Sequence, residues 1–293
     1  RFQANESRRD VSFHQSDASG NTFRPPRAPS GRQSTDLVLS GLTSLAQMPS
    51  IEGEFWGLFD RIYVYRTGGT ADCQQMQKYL AVYLGSESVV TRVQCLTIPN
   101  KGLEAMGFIQ HVILHYHELA PQIVFAASNL GKYNRALLIR QLLAQPAPLM
   151  CWHMPPHQCS GSFTQQDHDV TPGVRLDQQP TRRTVLHPAH PRTLDKWAPA
   201  WGLHNHTPEQ CCRNAVTKTS RRLLQSRGVC FYQNFARQLA HAAPEAAFYM
   251  ERLSHRIFGG DARPVFLNGM PWAFELFAVE DGRRNPVKIL DSW

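Results

Sequence analysis

Between residues 61 and 144 short apolar runs alternate with amphipathic stretches, and this alternation limits the chain more than any other feature. Arg61-Ile-Tyr-Val-Tyr65 is rich in β-formers and is followed by Gly68-Gly69, so it is predicted as a strand. Asp72 is placed to cap a helix whose Met76, Leu80, Tyr83 and Leu84 share a face, with Gly85 closing it. Val89 to Ile98 follows as a second strand. Pro99-Asn100 opens a periodic helix with Ala105, Ile109, Val112, Tyr116 and Leu119 along one stripe, and Pro121 stops it. Ile123-Val-Phe-Ala-Ala127 is continuously apolar, as a strand covered on both faces should be. A helix over Asn134 to Ala144 completes the series. Such β-α-β-α-β-α order implies an α/β fold with a mostly parallel sheet flanked by helices.

Ligands of such sheets bind beyond the carboxyl ends of the strands. Here those ends carry Arg66-Thr67-Gly68-Gly69, Asn100-Lys101-Gly102 and Ser128-Asn129. At the second of these, backbone N–H groups and the helix dipole favour an anion. Lys101 would neutralise a diphosphate; alternatively, Asn100 is an N-cap and Gly102 a packing glycine. Glu104 either meets a sugar hydroxyl or interacts with the helix N-terminus. His111 and His115 share a helix face at metal-pair spacing, without a third ligand, and are expected as partly exposed helix histidines.

The flanks differ. Residues 1–50 are poor in large apolar side chains and rich in Ser, Arg, Gln, Asn and Pro, so they are predicted as a disordered arm. Residues 51–262 are assigned to the α/β domain, with 146–212 as an irregular Pro-, His- and Cys-rich insertion. Within it, Asp167-His168-Asp169 has the outline of a two-carboxylate metal motif for Asp167 and Asp169, but not after a strand. Cys151, His153, His157 and Cys159 offer four zinc ligands at unfamiliar spacing. Adjacent Cys211 and Cys212 serve packing, or pair with Cys151 and Cys159 in an oxidising compartment. Beyond the insertion, a strand is expected over Asn214-Ala-Val-Thr217 and a short helix from Ser220 to Ser226. A further helix runs from Phe231 to Ala242 and another from Pro244 or Glu245 to Gly259-Gly260. Residues 263–293 suggest a terminal hairpin around Asp281-Gly282.

Charge narrows the partners. The net charge is +8, but the arginines occur as scattered doublets without a basic stripe or stacking aromatics, so no nucleic acid is expected. No apolar stretch is long enough for a membrane span. Walker, dinucleotide-fingerprint, nucleophile-elbow and zincin motifs are all missing from the sequence.

Three segments resemble the family called domain of unknown function 3431. They are the strand Ile62-Tyr-Val-Tyr65; the run Asn100-Lys-Gly-Leu-Glu104, Phe108-Ile109, His115-Tyr116-His-Glu-Leu119 and Ile123-Val-Phe125; and the stretch from Cys211-Cys212 through Phe231-Tyr232 and Glu251-Arg252-Leu253 to Ile257-Phe258-Gly259. The resemblance covers roughly residues 60 to 260 outside the middle segment. It implies, by fold-level analogy, a nucleotide-sugar transferase architecture of the GT-A kind. A nucleotide-sugar, a glycan acceptor, a Mn²⁺ or Mg²⁺ ion and a secretory-lumen location would follow from it. Asn100, Lys101, Gly102 and Asn129 would then bind donor phosphate or substrate, Glu104 would orient sugar, and Glu251 would be the base. Leu103 stands where the family has Arg, Ser254 where it has Trp, and Ala126-Ala127-Ser128-Asn129 lacks an acid. These departures suit the alternative, a binding or scaffold domain that keeps the fold without the chemistry.

Overall fold

The computed structural model describes residues 33–42, 53–67, 72–85, 87, 91–131, 134–153, 187–191, 194–203, 211–241, 244–260, 262, 264–267, 277–280 and 283–286. Its main element is a seven-stranded sheet in the order β3-β2-β1-β4-β6-β5-β7. The strands are β1 (Thr35–Leu42), β2 (Arg61–Arg66), β3 (Val93–Thr97), β4 (Gln122–Ala127), β5 (Met150–His153), β6 (Cys212–Ser220) and β7 (Val265–Leu267). Strands β1 to β4 are mutually parallel, and β5 is parallel to β7; β6 runs against both its neighbours, β4 and β5. The expected α/β class with a mostly parallel sheet is therefore what the chain adopts.

Side-chain alternation along the strands builds two apolar layers, because successive residues point to opposite faces. Leu37, Leu39, Ile62, Val64, Val124 and Ala126 face α1 (Gly53–Trp56), α2 (Cys73–Leu84) and α4 (Arg135–Ala144). Val38, Tyr63, Tyr65, Ile123 and Phe125 face the other layer. That layer holds α3 (Leu103–Leu114), α5 (Leu194–Ala200), α7 (Val229–Gln238) and α8 (Glu245–Gly259), with the short α6 (Arg221–Gln225) leading into it. The start of α2 is as expected: the Gln75 N–H donates to Asp72 Oδ1 at 2.6 Å while the Asp72 N–H donates to the Gln75 side chain, a reciprocal capping box.

Several expectations need correction. Thr35–Leu42 does not belong to the arm assigned to residues 1–50, because β1 is an inner strand, paired with β2 on one side and β4 on the other. It is anchored by Asp36, fully buried, which accepts two bonds from its cross-strand partner Arg61 at 2.9 and 2.7 Å. The 146–212 insertion contributes β5, α5 and the first residue of β6, so it is partly regular. The domain also runs past residue 262, since β7 pairs with β5. In the tail, β8 (Phe277–Glu280) and β9 (Arg283–Pro286) pair antiparallel on either side of residues 281–282. His111 is fully buried rather than partly exposed. Cys151 forms a disulfide with Cys212, which removes it from any zinc set with His153; His157, Cys159, Asp167 and Asp169 lie outside the described residues. A second disulfide, Cys73–Cys95, ties α2 to β3. No helix among the described residues is long and apolar enough to cross a membrane.

Candidate functional site

The chain passes from β1 outward to β2 and β3, then returns to place β4 on the other side of β1. The carboxyl ends of β1 and β4 therefore flank a topological switch point, where open α/β sheets form crevices. The Ser128 N–H donates to the Ser40 carbonyl at 2.8 Å and holds the two strand ends together. Gly41, at φ 83°, makes room there: a Cβ on it would lie 2.8 Å from Glu104 Cγ. The Glu104 side chain thus lies across the end of β1, brought there by the first turn of α3.

Glu104 is not alone. A cleft formed by α3, β6 and α8 is lined by Leu103, Glu104, Phe108, Thr217, Met250, Glu251, Ser254 and Phe258, among others. Glu251 stands one turn before Ser254, and between them Leu253 leaves helical geometry (φ −101°, ψ 15°), so α8 kinks at the cleft. Ser254 and Thr217 share a 2.8 Å hydroxyl–hydroxyl bond across α8 and β6. The cavity is small, ≈ 40 Å³, on the order of one or two water volumes. Two carboxylates over aromatic walls can accept a hydroxyl proton and orient further hydroxyl groups; the cleft does not enclose a large ligand.

The remaining expected residues divide. Asn100 and Lys101 are exposed and do not line the cleft, and Asn100 is not the cap: the N-cap position belongs to Gly102, at φ 71°. Gly102 is buried and its N–H donates to the His241 carbonyl at 2.7 Å, so that N–H is not offered to a phosphate. Asn129 is drawn away too, because its side-chain oxygen and its carbonyl both accept from Arg135. Thr217 carries no motif that would have revealed it, and Ser254 stood out only as a departure from the family pattern, not as a cleft residue. His187 and His241 were visible only as two histidines distant in sequence, yet their rings stack with centroids 3.3 Å apart next to the Lys101 turn. Burial, His187 and Lys101 together lower the His241 pKa. A separate open groove of ≈ 800 Å³, bordered by Gln33, Pro121, Gln122, Arg221 and Arg222, lies at the opposite, amino end of the parallel strands.

Among the described residues, one group of three His, Cys, Asp or Glu side chains has metal-ligand proximity: Cys151, Cys212 and His255. Its two sulfurs are joined as a disulfide. No three-oxygen set suited to Mn²⁺ or Mg²⁺ faces the cleft among these residues.

No protein-family model matches the chain, and no curated protein matches it. Among solved structures it is similar to the mannosyltransferase PcManGT from Pyrobaculum calidifontis, determined in complex with GDP-Man and Mn²⁺. Identity is 8%, the TM-score is 0.35, and the match covers 71% of this chain and 50% of that one. The chain thus spans about half the length of that structure. At this distance the class is defined by the fold itself: an α/β domain with a mostly parallel sheet, helices on both faces and a two-carboxylate cleft at its switch point.

Proposed function

We propose that this chain is a glycosyltransferase-like domain, akin to domain of unknown function 3431, that binds a nucleotide-sugar at the carboxyl ends of its parallel strands. The observation that carries this reading is the convergence of Glu104 and Glu251, from helices far apart in sequence, on one cleft. In the reaction, an acceptor hydroxyl oxygen attacks the anomeric carbon, the bond to the nucleoside diphosphate breaks, and its electron pair leaves with the diphosphate. Glu251 takes the hydroxyl proton, and Glu104 orients a sugar hydroxyl. Lys101, two residues before the cleft-lining Leu103, would meet the leaving phosphates as they gain charge. The described residues do not supply a ligand set for Mn²⁺ or Mg²⁺, so no step is assigned to a metal. The disulfides among the described residues suit an oxidising compartment such as the secretory lumen.

The second reading, a binding domain without catalysis, draws on the small volume of the cleft. Calorimetric titration of UDP- and GDP-sugars, with and without Mn²⁺, followed by a transfer assay on glycan acceptors, separates the two. On the transferase reading Glu251→Gln keeps donor binding and lowers turnover about 100-fold or more, while Lys101→Ala weakens donor binding about tenfold. Donor binding without turnover in the native chain selects the second reading. If no donor binds, the transferase reading fails and the scaffold form of the second reading is favoured.

A further inference from the structure

Lys101, His187 and His241 form a cluster that neither the fold nor the two-carboxylate cleft explains. Their positions are constructed rather than incidental. The His187 carbonyl accepts from the Glu245 N–H at 2.8 Å, and the Ala189 N–H donates to Glu245 Oε2 at 3.0 Å. Glu245 is itself buried at the first turn of α8 and accepts from the Tyr249 hydroxyl at 2.9 Å. A buried carboxylate therefore fixes the 187–189 segment from below, and its two oxygens are used in doing so. From the other side, the His241 carbonyl is fixed by the Gly102 N–H. These bonds press the imidazoles face to face, with an interplanar angle of 18°.

Two stacked imidazoles beside an ammonium group repel as soon as either takes a proton, and an anion relieves that repulsion. A cation does not suit the place, because Lys101 opposes it. We propose that Lys101, His187 and His241 form a diphosphate-binding site, which would hold the leaving group of the nucleotide-sugar. This rests on the glycosyltransferase-like reading for its biological ligand, but not for its chemistry. Imidazolium N–H and ammonium groups give charge-assisted bonds to phosphate oxygens, the strong class of hydrogen bond. The site supplies from side chains the positive charge that the occupied Gly102 N–H does not. The titratable groups facing His241 are His187 and Lys101, with Glu245 beneath the His187 backbone. Binding should therefore strengthen as the pH falls below the ordinary imidazole value, because burial, His187 and Lys101 lower the His241 pKa.

The experiment titrates the full chain with inorganic pyrophosphate while the His187 and His241 ring resonances are followed by NMR. UDP and GDP are titrated in parallel. The expected result is saturable movement of both histidines with all three ligands, weakened about tenfold in His187→Ala and in His241→Asn and unchanged in Lys78→Ala, a lysine on the exposed face of α2. His187 is exposed and is held through its backbone, so His187→Ala keeps the segment in place. The proposal is overturned if neither resonance moves up to about 10 mM pyrophosphate, or if the variants bind like the native chain. It is equally overturned if UDP and GDP bind without disturbing either histidine. Pyrophosphate binding here, with every nucleotide-sugar rejected, would keep the anion site and remove the sugar-transfer reading.

Discussion

His111 shows what packing does to a side chain whose type and spacing are plain from the sequence. It is fully buried against Tyr63, Tyr65 and Phe125, with its Nδ1 3.2 Å from the Tyr65 hydroxyl. Burial, with His115 and Arg61 nearby, lowers its pKa well below the usual value, and burial lowers that of His115 to about 4. The unfolded chain takes up protons on these imidazoles near pH 6.5, whereas the folded chain does not until the pH is lower. Stability is thus fully present above about pH 6.5 and falls with pH below it, by about 1.4 kcal/mol per pH unit for each histidine within its window. Urea unfolding at pH 7.5 and pH 5 should show the midpoint falling, with a shallower dependence in His111→Phe. An equal dependence in both proteins would refute this origin. The i, i+4 spacing of His111 and His115 was legible; their burial was not, because it depends on β2 lying under α3. Lys218 makes the same point: from within a strand it donates, fully buried, to the Leu142 carbonyl at the end of α4.

Helix α3 is the element on which the candidate site depends, because it carries Glu104 across β1. Its close approach is set by Gly107: a Cβ there would lie 2.1 Å from Ser40 Oγ and 2.9 Å from Tyr65 Cβ. Gly107→Ala should force α3 off the sheet and cost about 1–3 kcal/mol, seen as a lower thermal midpoint. Pairing it with Ser40→Gly should recover part of the loss. A midpoint unchanged in the single variant would mean that α3 is not seated as described. The period of α3 was readable from its apolar stripe. Strand β1 escaped because four large apolar residues, Leu37, Val38, Leu39 and Leu42, stand in a stretch otherwise like a solvated arm. Their value comes from being covered on both faces, which local composition does not reveal.

Across the molecule, the two described disulfides tie distant parts of the chain. Cys151–Cys212 spans 61 residues between adjacent strands, and Cys73–Cys95 spans 22. By loop-closure entropy they are worth about 4 and about 3 kcal/mol respectively. Both Cys151 and Cys212 are buried, so reduction should follow unfolding rather than precede it. Cys151→Ser with Cys212→Ser should lower the urea midpoint markedly relative to the native chain, and the native chain should approach it once unfolded in reductant. Equal stability of the two oxidised proteins would show that the bond does not contribute.

The order of strands and helices from residue 61 to residue 144, the parallel character of the sheet and the placing of Glu104 at a strand-to-helix turn all came from periodicity and punctuation, which are local. Which strand lies in the middle, and which way β6 runs, came from long-range pairing that no local pattern records. The same holds at the site. Glu104 and Glu251 were each recognisable as carboxylates on helices, but their shared cleft exists because α8 crosses β6 beside α3. Gly102 looked available to an anion until the chain returned at His241 to take its N–H. Hydrogen bonds and burial are settled between segments, and the chemistry of each side chain is chosen there.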